Sequence, residues 1–147
     1  MTNDIFSKNQ IIRDIGIVCS LNNSSGIVFE DGKFNKMGEP TEAALKVFAE
    51  KLGQYDSKFK NSDPTKEPEG YTKYLAAQYE YVATLDFTSE RKTMSTVVKG
   101  IAGKGQNSLL LKGAPERVIE KCATYRKEDG SEGRFTPAEK TRLIDVI

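Results

Sequence analysis

Between Tyr81 and Lys112 three strand-like segments follow one another with no helical stretch between them. Tyr81, Ala83, Leu85 and Phe87 alternate with Val82, Thr84 and Asp86, the period-two pattern of a half-buried strand. Thr93–Lys99 and Ser108–Lys112 come next, joined by a glycine-rich loop. Elsewhere apolar residues recur at helical spacing, and helices and strands never settle into a βαβα rhythm. The fold class is therefore α+β, an antiparallel β-sheet flanked by helices. No internal repeat appears.

The flanking helices carry their own start signals. Ser7-Lys8-Asn9-Gln10 reads as a capping box, followed by Ile11, Ile12, Ile15, Val18 and Cys19 as an apolar face that ends at Asn22-Asn23. Asp31-Gly32, between Gly26–Glu30 and Lys33–Lys36, suits a type I′ hairpin turn. A second helix opens at Gly38-Glu39-Pro40-Thr41-Glu42, with Ala44, Leu45, Phe48 and Leu52 as its expected buried face and Gly53 closing it. Residues 55–70 turn polar and read as a surface loop, with a short helix around Tyr71–Gln78. Pro115 begins a helix whose inward face is Val118, Ile119 and Cys122. Thr136-Pro137-Ala138-Glu139 combines an N-cap, a first-turn proline and a capping-box glutamate, opening a helix expected to bury Leu143, Ile144 and Ile147. The sequence stops inside that helix. We expect residues 1–147 to be a single cytosolic domain excised from a longer protein, its C-terminal part truncated.

Composition removes several function classes. Lysine plus arginine total 22 against 21 acids, so there is no basic footprint for nucleic acid or an anionic membrane. The longest apolar stretches, such as Ile15-Gly16-Ile17-Val18-Cys19, are too short to span a bilayer, and no secretory signal pattern opens the chain. The expectation is a soluble, cytosolic, monomeric piece. There is no histidine, which excludes serine–histidine and cysteine–histidine catalysis. Cys19 and Cys122 make neither a disulfide framework nor a zinc site, and both read as buried reduced thiols.

Three stretches hold residue types that bind ligands, and each has an ordinary explanation as well. In Lys112-Gly113-Ala114-Pro115-Glu116 a strand ends on lysine, two small residues allow close approach, and a helix starts. Free N–H groups at that helix start suggest an anion site, while a plain strand-to-helix turn explains the same residues. Asp86-Phe87-Thr88-Ser89-Glu90-Arg91-Lys92-Thr93-Met94-Ser95 offers an aromatic platform beside cations, or a core phenylalanine and a solvated turn. In Gly38-Glu39-Pro40-Thr41-Glu42-Ala43-Ala44-Leu45, Thr41 and Glu42 serve either a ligand or helix capping. Gly100-Ile101-Ala102-Gly103-Lys104-Gly105 fails the spacing of a phosphate loop and precedes a strand, so it is a hairpin loop.

In order and wording the three stretches resemble the nucleotide-binding domain of P-type cation-transporting ATPases. The shared motifs are Gly-Glu-x-Thr-Glu-x-Ala-Leu, Phe-x-x-x-Arg-Lys-x-Met-Ser and Lys-Gly-Ala-Pro-Glu, and the resemblance runs from about Ile11 onward. The first motif, with Cys19-Ser20-Leu21-Asn22-Asn23-Ser24-Ser25, points to the sarco/endoplasmic-reticulum calcium-pump branch. Lys-Gly-Ala-Pro-Glu-Arg is shared with sodium/potassium and proton pumps, which keeps those branches open.

The resemblance implies an ATP-binding domain on the cytosolic face of a membrane pump, partnered by the phosphorylation and actuator domains of the parent chain. Phe87 would stack on adenine. Thr41 and Glu42 would line the base end, with Glu42 meeting the exocyclic amine. Lys92 would sit near the pocket and Met94 would add apolar wall. Lys112 would reach the base at the back of the cavity, approached past Gly113 and Ala114, so the adenine end takes the place of the anion site. Ser89 stands where many calcium pumps carry an arginine that meets the phosphates. The Asp-Lys-Thr-Gly phosphorylation motif and the later arginine-cysteine-leucine strand are absent from the sequence. The expectation is ATP binding without hydrolysis, Mg2+ entering only with the rest of the parent pump. A non-catalytic interaction module of the same fold is the alternative.

Overall fold

The computed structural model describes residues 9–59 and 63–147. Helix α1 (Gln10–Leu21) leads into a hairpin of β1 (Gly26–Glu30) and β2 (Lys33–Met37), then α2 (Pro40–Gly53) and the short α3 (Gly70–Ala76). Strands β3 (Glu80–Leu85), β4 (Thr93–Lys99) and β5 (Asn107–Gly113) form one antiparallel sheet in that order. Helix α4 (Pro115–Lys121), a hairpin of β6 (Thr124–Arg126) and β7 (Glu132–Arg134), and α5 (Pro137–Ile144) follow. The architecture is α+β, as the three consecutive strands require.

Signals confined to a few residues are realised closely. Asp31 and Gly32 both take positive φ, 53° and 75°, the type I′ geometry that matches strand twist. Thr136 accepts from the Glu139 N–H while the Glu139 carboxylate accepts from the Thr136 N–H, a complete capping box. The glycine-rich segment is the loop between β4 and β5. The capping box expected at Ser7 lies outside the described residues; α1 is capped by Asn9, whose side chain accepts from the Ile11 and Ile12 N–H groups.

The core joins α1 and α3 to the sheet. Ile17, Leu21, Tyr71, Leu75, Val98 and Leu110 form one buried cluster, each side chain worth roughly 1.5–3 kcal/mol of burial. The buried stripe of α1 thus runs through Ile17 and Leu21, with Gly16, Cys19 and Ser20, while Ile15 is exposed. On α2 the expected face is replaced by Ala43, Lys46, Ala49 and Gly53, with Ala44 and Phe48 exposed and Leu45 and Leu52 half-buried. Small residues are what α2 turns inward toward α1 and α3, and Lys46 is tolerated there because its ammonium reaches Glu69 at 3.8 Å. Gly53 is the last residue of α2, as expected, without the left-handed φ of a C-cap glycine; a Cβ there would collide with the Tyr71 ring.

Strand β3 departs from the simple alternation. A register shift lies between Tyr81 and Ala83, so Tyr81 pairs with Val98 and Ala83 with Val97. Tyr81 therefore shares the helix-side face with Val98 and donates its hydroxyl to the Leu21 carbonyl at 3.1 Å, while Ala83 and Leu85 fall on the other face. All of β3 is exposed, because it is an edge strand in the described sheet.

Val118, Ile119 and Cys122 are half-buried, as is Ile144, whereas Leu143 and Ile147 are exposed. Both cysteines are free; Cys19 is buried, and Cys122 caps α4 with its thiol donating to the Val118 carbonyl. The β6–β7 hairpin went unforeseen. Its three-residue strands are too short to show alternation, although Asp129-Gly130 in its turn is a hairpin signal.

Candidate functional site

Helix α1 ends on Asn22, whose side chain is fully buried and turns back over the sheet. Its amide nitrogen donates to the carbonyls of Met94 on β4 and Leu110 on β5, both at 3.2 Å. Its amide oxygen accepts from the Thr96 hydroxyl at 3.0 Å. One side chain thus pins the helix end across two strands, with its polar atoms satisfied as burial demands.

The next two residues tie this end of α1 to α2 across space. Asn23 donates to the Glu42 carbonyl at 2.8 Å and to the Cys19 carbonyl at 3.1 Å. Ser24 donates both its N–H and its hydroxyl to Glu42 Oε2, at 2.9 and 3.0 Å. Glu42 lies in the first turn of α2, where the helix dipole favours an anion. Its other oxygen, Oε1, meets Lys112 Nζ at 2.9 Å, both side chains being 16% exposed. Burial pushes the Glu42 carboxyl up, but the bonds from Lys112 and Ser24 outweigh it and hold the group below the usual glutamate range.

Lys112 is the cross-strand partner of Met94, which is 2% exposed and lies 3.9 Å from the Ser24 hydroxyl. Glu42, Lys112 and Met94, distant in sequence, therefore converge on one cluster with Ser24. Beyond its ion pair, Lys112 Nζ has no hydrogen-bond acceptor among the described residues and is closed off from solvent. Such a group is a poised donor.

The other residues singled out in the sequence lie around this cluster. Thr41 is exposed beside Glu42 on α2. Lys92 takes a left-handed φ of 52° and reaches Glu116 at 3.9 Å. Its carbonyl accepts from the Ala114 N–H at 2.9 Å, which closes the turn between β5 and α4 against the start of β4. Gly113 packs there so closely that a Cβ would run into the Lys92 carbonyl and lie 2.7 Å from Thr93 Cα. Backbone packing alone thus demands glycine. Gly113→Ala is expected to cost about 1–3 kcal/mol through overpacking, read by urea denaturation; a variant as stable as the parent would mean the turn opens freely.

Phe87 follows β3 on an exposed turn, 57% accessible, and its ring contacts no other aromatic among the described residues. Arg91 braces this turn, donating to the Asp86 carbonyl at 3.1 Å and the Ser95 hydroxyl at 2.9 Å. Asn22, Ser24 and Arg91 are the residues that sequence reasoning missed in this role. The polar run Asn22-Asn23-Ser24-Ser25 is the available signal for the first two, and the charged stretch after Phe87 is that for Arg91. A cavity of about 560 Å³ runs along β1 between Met37, Pro68 and Glu69 and shares only Ser24 with the cluster.

A family model described as P-type ATPase, cytoplasmic domain N, matches residues 12–147. Calcium-transporting ATPase 2, endoplasmic reticulum-type, of Arabidopsis thaliana is 37% identical over 82% of this chain. The chain spans 12% of that relative's length. The matched span contains α1 from its third residue, the Glu42–Lys112 cluster and the Phe87 turn, and the chain belongs to the P-type ATPase cytoplasmic domain N family.

Proposed function

We propose that this chain binds ATP as the nucleotide-binding domain of a P-type calcium-transporting ATPase and presents it to a phosphorylation domain outside the sequence. The observation that carries the reading is the Glu42–Lys112 pair, a nearly buried carboxylate beside a lysine with donors to spare. An adenine edge offers both partners: an amine to donate to Glu42 and ring nitrogens to accept from Lys112. Phe87 stacks on the base and Met94 supplies apolar wall. Thr41 and Lys92 line the approach, and Gly113 and Ala114 form the turn beneath it. The calcium assignment and the endoplasmic-reticulum-type membrane rest on the name of the Arabidopsis relative.

The chain's own chemistry is binding and orientation. Among the described residues no group of three or more His, Cys, Asp or Glu side chains is placed to hold a metal, and no helix is long and apolar enough to cross a membrane. Mg2+, neutralising phosphate charge, belongs with the phosphorylation domain of the parent pump. The actuator domain of the parent pump is the other partner, and the chain itself is a monomer.

Binding is weak, with Kd on the order of 0.1 to several mM, since one base stack and two polar contacts supply little more than about 4–5 kcal/mol net. Amide shifts during an ATP titration should localise near Phe87 and Lys112; no shifts at all would favour the interaction module, which Ser89 in the arginine position also allows. Lys112→Met should weaken ATP and adenosine by the same factor, about tenfold, as expected for a buried charged hydrogen bond to the base. A loss confined to ATP would place phosphate at the start of α4 instead.

A further inference from the structure

We propose that Ser24 is a positioning residue that fixes the Glu42 carboxylate and thereby makes the site prefer a purine with an exocyclic amine over one with a carbonyl there. The inference rests on the reading that Glu42 meets the base, and adds the residue that makes this contact selective.

Glu42 is held at its backbone carbonyl and at both carboxylate oxygens. Asn23 grips its backbone carbonyl, Ser24 places two donors on Oε2, and Lys112 places one on Oε1. An ionised carboxylate is acceptor-only, with about four lone-pair sites. Three are taken, so one on Oε1 stays open beside Lys112. A donor N–H at that point completes the set. A carbonyl oxygen there faces a fixed acceptor that cannot rotate away, because turning the carboxylate breaks both Ser24 bonds. Burial opposes the charge on Glu42, and the Ser24 and Lys112 bonds keep it ionised.

Ser24 suits this role without belonging to the core. It is exposed, and among the described residues its hydroxyl bonds, besides Glu42, only to Met94 Sδ, at 3.9 Å. Removing the hydroxyl leaves the Ser24 N–H on Oε2 but frees the carboxylate to swing, so discrimination should fall without loss of the fold.

The test compares ATP with inosine triphosphate, which differ at that position of the base, by calorimetric titration of the parent chain, Ser24→Ala and Ser24→Thr. The parent should favour ATP by about tenfold, the scale of one hydrogen bond to a charged group. Ser24→Ala should cut the ratio to about two- to threefold, mainly by weakening ATP, and Ser24→Thr should restore it. The Glu42 side-chain carboxyl signal, followed by NMR against pH without nucleotide, should titrate higher in Ser24→Ala and return in Ser24→Thr. Equal weakening of both nucleotides, or an unchanged ratio, overturns the proposal while leaving ATP binding intact. If the parent binds neither nucleotide while the Glu42 titration still moves, the ATP-binding reading fails, and selectivity with it, although Ser24 still positions Glu42.

Discussion

Asn22→Asp is expected to lower the unfolding free energy by about 3–5 kcal/mol at pH 7, the scale of an uncompensated buried charge. The substitution keeps the shape and replaces one NH2 with an oxygen. In the parent that NH2 donates to the Met94 and Leu110 carbonyls at a fully buried position. A carboxylate there loses both bonds and sets an anion against two carbonyl oxygens with no water to screen them. The folded-state pKa of the new acid therefore rises above its unfolded value of about 3.9. The penalty is full above the raised folded pKa, shrinks as pH falls through it, and its ionisation part is gone below the unfolded pKa. Urea melts at pH 7 and at pH 4 should show the variant closing on the parent in acid. At pH 7 the midpoint of thermal unfolding should drop by roughly 10 °C. A variant within about 1 kcal/mol of the parent at pH 7 would mean that Asn22 does not clamp β4 to β5.

Asn22 also shows where legibility stops. The type I′ turn at Asp31-Gly32 and the capping box at Thr136 could be read in advance because every group involved lies within four residues. The buried faces of α1 and α2 could not, since which stripe turns inward depends on the partner surface. Hydrophobicity chose Phe48 on α2, whereas contact with α1 and α3 selected Ala43 and Ala49 and kept Lys46 by pairing it with Glu69. In β3 the alternation itself was visible, but the register shift that moves Tyr81 to the opposite face from Leu85 leaves no mark in the residues.

The cluster divides along the same line. No local rule joins Glu42 to Lys112, 70 positions later; the resemblance named both, and the fold puts them 2.9 Å apart. Ser24 and Asn22 sit in a run of four polar residues that reads as a loop. Their function lies in what each reaches, Glu42 on α2 in one case and two strands of the sheet in the other.

Phe87→Ala is expected to remove most ATP binding and leave the fold untouched. The ring is 57% exposed and follows β3 on a turn braced by Arg91 rather than by the aromatic itself. Its removal opens no cavity, so stability should stay within about 0.5 kcal/mol of the parent. A base stack on an aromatic ring contributes about 1–3 kcal/mol, which is roughly a 5- to 150-fold change in Kd. Starting from a constant near 1 mM, such a loss carries the variant beyond the range of an ordinary titration. Adenosine should lose the same factor as ATP, because the ring meets the base and not the phosphates. Phe87→Trp, which keeps a π-face of larger area, should hold or improve affinity. Calorimetry with both ligands and one thermal melt for each variant decides the matter. If ATP affinity survives in Phe87→Ala, the nucleotide does not stack on this turn, and the base must be held by the Glu42–Lys112 cluster without it.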